Sequence, residues 1–185
     1  MYLLKCTGDS VCWSLVLAAA LLTAVPGIVA GQAVDVAPDT AVKAAFLYNF
    51  SKFTEWPALP PAAFIDVCVV GDDAIAAALV ETVHGQKISG HTLNVLRPRD
   101  SATWRVCHVL FLTGADARQS AEALDAIKRL AVLTVSDGEG FARAGGVIEL
   151  YVEGGRMRFS INVDAAERSG LRLSSRLLAL AKVIR

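Results

Sequence analysis

The residues that could do chemistry are few and scattered. Cys68 and Cys107 are the cysteines beyond the N-terminal segment, which holds Cys6 and Cys12. His84, His91 and His108 share no metal-ligand spacing, and His108 adjoins Cys107, so in a strand the two would point to opposite faces. Asp72 and Asp73 follow an apolar run, where they can cap a helix or face a ligand. Ser136 and Asp137 stand in the same relation to a later run, with no third partner for a nucleophile. Gly138-Glu139-Gly140 continues to Arg143 where a dinucleotide fingerprint needs a third glycine. No GxSxG, GxxxxGK[ST] or HExxH occurs. We therefore expect no catalytic group, no cofactor and no metal, and look instead for a surface that binds. Trp56 and Trp104 abut turn signals and are the candidate anchors of a partner or ligand surface, together with Asp72 and Asp73.

The N-terminus sets the compartment. From Ser10 to Val34 there is no charge, Lys5 precedes the run, and Pro26-Gly27 breaks it ahead of small residues at Ala30 and Ala33. This order of basic start, apolar middle and small-residue exit is that of a secretory signal peptide. We expect a signal peptide over residues 1–33, cut after Ala30 or Ala33, and a single domain over 34–185. An uncleaved membrane anchor is the rival reading. An even cysteine pair left in an exported domain reads as a disulfide, Cys68–Cys107. The charge balance of 18 Lys+Arg against 18 Asp+Glu excludes a sequence-independent nucleic-acid binder, which needs an excess of cations. At 54% hydrophobic and 19% charged, the chain is not disordered.

Elements that must position these residues follow from periodicity. A helix opens at Asp39 or Thr40, with Val42, Ala45, Phe46, Phe50 and Phe53 on its apolar face and Lys43, Asn49 and Lys52 opposite. Strands are expected at Phe64–Val70, around Leu93–Val95, at Val106–Leu112, Ala131–Val135, Val147–Val152 and Met157–Val163. Helices follow Asp72 or Asp73, follow Asp116, and end the chain after Ser174 or Ser175, the last with Leu177, Leu178, Ala181 and Ile184. Gly154-Gly155 joins the last two strands as a hairpin whose edge is open to pairing. The expected fold class is a layered α/β domain with a mostly parallel sheet, a C-terminal β-hairpin and a terminal helix. A bridge needs Cα atoms within about 7 Å, and adjacent strands lie about 4.8 Å apart. The cysteines therefore put the first strand beside the third, giving a flavodoxin-like order 2-1-3-4.

Several blocks together carry a resemblance: Val42–Phe50 with Phe53 and Trp56-Pro57, Cys68–Asp73, Cys107–Leu112, Leu133–Asp137 with Phe141 and Gly145-Gly146, Arg158–Asn162, and Leu171–Ala181. In this order they resemble the YfiR family of periplasmic regulators. The resemblance implies a non-enzymatic periplasmic protein that binds and restrains an inner-membrane diguanylate cyclase, lowers cyclic-di-GMP output and so affects biofilm behaviour. It further implies an outer-membrane lipoprotein antagonist, homodimerisation and a redox-sensitive cysteine pair at Cys68 and Cys107. The family's founding type has a second pair in its C-terminal half, and this chain has no cysteine after Cys107. The alternative is a periplasmic module that binds a small ligand without a cyclase partner. Intact-mass measurement on the protein isolated from cells expressing the full chain should give a species beginning at Gly31 or Val34; a mass retaining Met1 would support the anchor instead.

Overall fold

The computed structural model describes residues 39–185, so the signal-peptide reading and Cys6 and Cys12 lie outside the described residues. In chain order the elements are α1 (Asp39–Lys52), β1 (Thr54–Glu55), β2 (Ile65–Val70), α2 (Asp73–Val83), β3 (Lys87–Ile88), β4 (His91–Leu96), a 3-10 turn (Ser101–Val106), β5 (Val109–Leu112), α3 (Ala117–Ala126), β6 (Leu133–Ser136), β7 (Ile148–Glu153), β8 (Arg156–Asn162), α4 (Val163–Arg168), β9 (Arg172–Leu173), α5 (Ser175–Leu180) and β10 (Lys182–Ile184). Among the described residues no helix is long and apolar enough to cross a membrane.

One eight-stranded sheet runs β10-β8-β7-β6-β5-β2-β4-β3, and β1 pairs with β9 apart from it. Strands β4, β2, β5, β6 and β7 are mutually parallel neighbours. The chain thus crosses from β4 over β2 to reach β5, as the cysteine argument requires. Two crossovers lack an ordinary helix: a single 3-10 turn links β4 to β5, and turns alone link β6 to β7. With these short links and the added β8 and β10, the sheet departs from a plain flavodoxin arrangement.

Alternation along the parallel strands divides the core in two. Val67, Val69, Val109, Phe111, Leu133 and Val135 face a large cluster reached by Leu47 and Phe50 of α1 and Ile75 and Leu79 of α2. Cys68, Leu110 and Leu112 face the opposite side, with Ala123 and Ile127 from α3 and its end, Phe141, and partly buried Trp104. Strands covered on both faces read as unbroken apolar runs, which is why the sequence shows them so plainly.

Some expectations need correction. The buried stripe of α1 is Ala44, Leu47, Phe50 and Ser51, turned from the predicted face. Ala45 is exposed. Phe46 still contributes, its ring 5.6 Å from Phe50 and 5.7 Å from Phe159. Strand β5 begins at Val109, because the 3-10 turn absorbs Ser101–Val106. The terminal helix stops at Leu180, and Lys182–Ile184 instead pairs parallel with β8. Strands β7 and β8 do form the predicted hairpin, with Gly154 and Gly155 at φ 57° and 72°. Those left-handed values are what a two-residue hairpin turn demands. Its edges are taken, however, since β7 pairs with β6 and β8 with β10.

Cys68 in β2 and Cys107 just before β5 form a disulfide with Cα atoms 5.8 Å apart and a sequence separation of 39. On the chain-entropy model a loop of this length contributes about 4 kcal/mol by restricting the unfolded chain. Urea unfolding of oxidised and fully reduced protein should differ by roughly 3–4 kcal/mol in favour of the oxidised form. Equal stabilities would show that the bridge adds nothing to the β2–β5 junction.

Candidate functional site

The carboxyl ends of β2, β5 and β6 lie side by side, and the residues singled out from the sequence divide around them. Asp72 caps α2: its side chain accepts the Ala74 N–H at 2.7 Å. Asp73 is exposed, and its nearest cationic group is Arg97 Nε at 3.9 Å. Trp104 sits on the 3-10 turn that the disulfide ties to β2, and its carbonyl accepts the Cys107 N–H at 3.1 Å. It lines a cavity of about 570 Å³ with Val70, Gly71, Leu112, Thr113 and Gly114. Neither Asp72 nor Asp73 lines that cavity. Gly71 stands at φ +112°, and a Cβ there would lie 2.3 Å from the Thr113 carbonyl oxygen, so the close approach of the two strand ends admits only glycine.

Trp56 corrects the sequence reading. It is 8% exposed and belongs to the core. It lies at the opposite end of the sheet, where it lines a cleft of about 200 Å³ with Leu59, Pro60, Val106, Cys107 and His108. Its ring meets that of His108 edge-on, centroids 6.2 Å apart. His108 Nδ1 accepts the Asp66 backbone N–H at 3.1 Å, so the imidazole proton resides on Nε2. Burial lowers the His108 pKa, with Asp66 opposing and His91 assisting. His108 is accordingly a neutral, hydrogen-bonded histidine at neutral pH. The side-chain nitrogens of both Trp56 and Trp104 are buried without a hydrogen-bond partner.

The residue that organises this edge is Asp137, which the sequence offers only as a turn residue. Lys43 of α1 donates to Asp137 Oδ2 at 2.8 Å, as does the Thr113 hydroxyl at 2.8 Å, and the Gly114 N–H donates to Oδ1 at 2.8 Å. Lys43 also reaches exposed Asp39 at 2.7 Å. Burial by itself would raise the Asp137 carboxyl, but the hydrogen bonds from Lys43, Gly114 and Thr113 outweigh it and hold the pKa below the ordinary value. Burial would likewise lower the Lys43 ammonium, and its bonds to Asp137 and Asp39 hold it above the usual value. The two shifts agree in describing an ion pair that keeps both charges.

The loop after Asp137 replaces a helix and is pinned in the same manner. Glu149 accepts the N–H groups of Gly140 at 3.1 Å and Ala142 at 3.0 Å. The Asn162 amide donates to the Ala142 carbonyl at 2.8 Å, and Thr134 Oγ1 accepts the Val147 N–H at 2.8 Å. Glu149 is thus a clamp on the loop, although it lies in the hairpin strand β7. Among the described residues no group of three or more His, Cys, Asp or Glu could hold a metal ion.

Removing one partner of a partly buried, hydrogen-bonded pair leaves the other poorly compensated, so Asp137→Asn should cost about 1–3 kcal/mol in urea unfolding at neutral pH. The pKa directions set the window. Stability from a depressed carboxyl is present above about pH 4 and lost as acid protonates it, and the raised lysine keeps its share below about pH 10.4. The loss caused by Asp137→Asn should therefore shrink as the pH falls below about 4. A pH-independent loss would assign the effect to packing alone.

Comparison with known proteins gives two likenesses. A solved structure of a "conserved domain protein" from Vibrio cholerae O1 biovar El Tor str. N16961 is similar at 14% identity and a TM-score of 0.48, over 77% of this chain and 60% of that one. The chain therefore spans about 60% of the length of that protein. The YfiR/HmsC-like family matches residues 40–182, from the first turn of α1 to the start of β10, and so covers the disulfide, the Asp137 hub and the cavity beside Trp104. The chain belongs to the YfiR/HmsC-like family.

Proposed function

We propose that this protein is exported to the periplasm, binds the periplasmic part of an inner-membrane diguanylate cyclase and holds the cyclase in its inactive state. The family match over residues 40–182 carries the reading, because membership points to periplasmic regulation of cyclic-di-GMP signalling. Such a task needs no catalytic group. A partner lowers output only by binding the inactive state more tightly than the active one, and the ratio of the two affinities sets the size of the effect. A domain held rigid by a disulfide and by a partly buried ion pair loses little conformational entropy on docking, which favours that kind of control. The Cys68–Cys107 pair supports an oxidising compartment, since disulfides persist there and are rare in the cytosol.

On this reading an outer-membrane lipoprotein would act as antagonist by competing for the regulator, and self-association would be a second means of withholding it. Crosslinking in intact cells through a C-terminally tagged copy should trap an inner-membrane protein carrying a cyclase domain. Deleting the gene should raise cellular cyclic-di-GMP several-fold, and the wild-type copy should restore it. Recovery of the tagged protein alone, where a control pair crosslinks, together with unchanged cyclic-di-GMP on deletion, would reject the proposal.

A further inference from the structure

We propose that the open edge of β10 is a docking site for an extended, acidic segment of a partner protein, which adds a strand to the sheet. The inference stands on the sheet edge and on charge, and holds whether or not that partner is a cyclase. Strand β10 (Lys182–Ile184) ends the eight-stranded sheet and pairs with β8 alone. Among the described residues no strand lies on its other side. Its outward backbone N–H and C=O groups are therefore available. An extended peptide laid alongside satisfies such groups, and its alternate side chains then set specificity.

Side chains fix the kind of segment. Alternation sends Lys182 and Ile184 to one face of the sheet, where they line a cavity of about 440 Å³ with Arg143 and Tyr151. Arg158, directly across from Tyr151, extends this face. Three acids share the cavity wall: Asp137, Glu139 and Glu149. Asp137 is held by Lys43, and Glu149 by the Gly140 and Ala142 N–H groups. That leaves exposed Glu139 against Arg143 and Lys182. Val183 points to the other face and is 45% exposed, and Leu180 just before the strand is 73% exposed. The surroundings are cationic. From Arg156 to Ile184 the chain has six Lys and Arg against two Asp and Glu, although its formal net charge is zero. The ion pairs among the described residues engage none of those six. On a docked strand, acidic side chains meet Lys182 and Arg143 on one face, and apolar ones meet Val183 on the other. The same cations disfavour a second copy here, since pairing two β10 edges brings like charges together.

The probe is the acetylated, amidated peptide Val-Glu-Val-Glu-Val-Glu-Val, and its controls carry Gln or Lys in place of Glu. Protein isolated from cells expressing the full chain, isotopically labelled at nitrogen, is titrated and followed by NMR. The Glu peptide should shift the amide resonances of Lys182–Ile184 saturably and slow the exchange of the β10 amides that face outward. The Gln peptide should bind about ten-fold more weakly, and the Lys peptide more weakly still. Lys182→Glu and Arg143→Glu, both at exposed positions, should each weaken the Glu peptide about five-fold. The two changes together should turn the preference toward the Lys peptide, with the melting temperature confirming that each variant folds. Resonances of β10 unmoved by the Glu peptide, equal binding of the Gln peptide, or undiminished binding in the folded double variant would overturn the assignment. So would β10 amides that are all protected before any peptide is added, because the edge would then be filled by a second copy or by the chain ahead of α1.

Discussion

The parallel pairing of β2 with β5 is the contact on which the rest of the molecule depends. It is made between strands that are not consecutive, across a connection too short to hold an ordinary crossover helix. The register sets Cys68 beside Leu110 and Val70 beside Leu112, which leaves Cys107 within reach of Cys68. Closing the bridge fixes the 3-10 turn, and with it Trp104, against the second core cluster. The same pairing brings the carboxyl ends of both strands together so tightly that Gly71 has no room for a side chain beside Thr113. One interaction therefore creates the covalent clamp, the strand reversal and the cavity beside it.

The second organising device is polar. Asp137 collects three donors from three parts of the chain: α1, the end of β5 and the turn after it. A carboxylate so surrounded stays charged despite partial burial, because each donated hydrogen bond stabilises the anion more than the lost water stabilised it. The pair with Lys43 links the first helix to the sheet edge and so fixes how α1 covers the first core face. Glu149 and Asn162 repeat this logic for the loop between β6 and β7, where backbone groups that a helix would have satisfied internally must find side chains.

These features suit a protein whose task is to be recognised and to recognise. Structural polar residues are spent on holding loops, and the disulfide holds the crossover, so the surfaces beside them are presented in a fixed form. The two buried indole nitrogens without partners stand apart from this thrift. One belongs to Trp56 in the core, against His108; the other belongs to Trp104, at the cavity where the strand order reverses.

The sequence by itself determined the alternation of apolar runs and helices, the hairpin at Gly154-Gly155, the cysteine pairing and the neighbourhood of β2 and β5 that follows from it. These are legible because each rests on a local period, a turn requirement or a distance limit. The resemblance carried by its motif blocks reached the family, which the match over residues 40–182 then established. What only the tertiary structure decided depends on partners far apart in the chain. Lys43 and Asp137 are 94 residues apart, and nothing in either local pattern signals their contact. Trp56 abuts a proline turn, as a surface residue would, yet it joins the larger core cluster with its ring edge-on to His108. The last residues continue the helical period of α5 but leave it to pair parallel with β8, where Lys182–Ile184 satisfy the backbone groups of that strand's open edge.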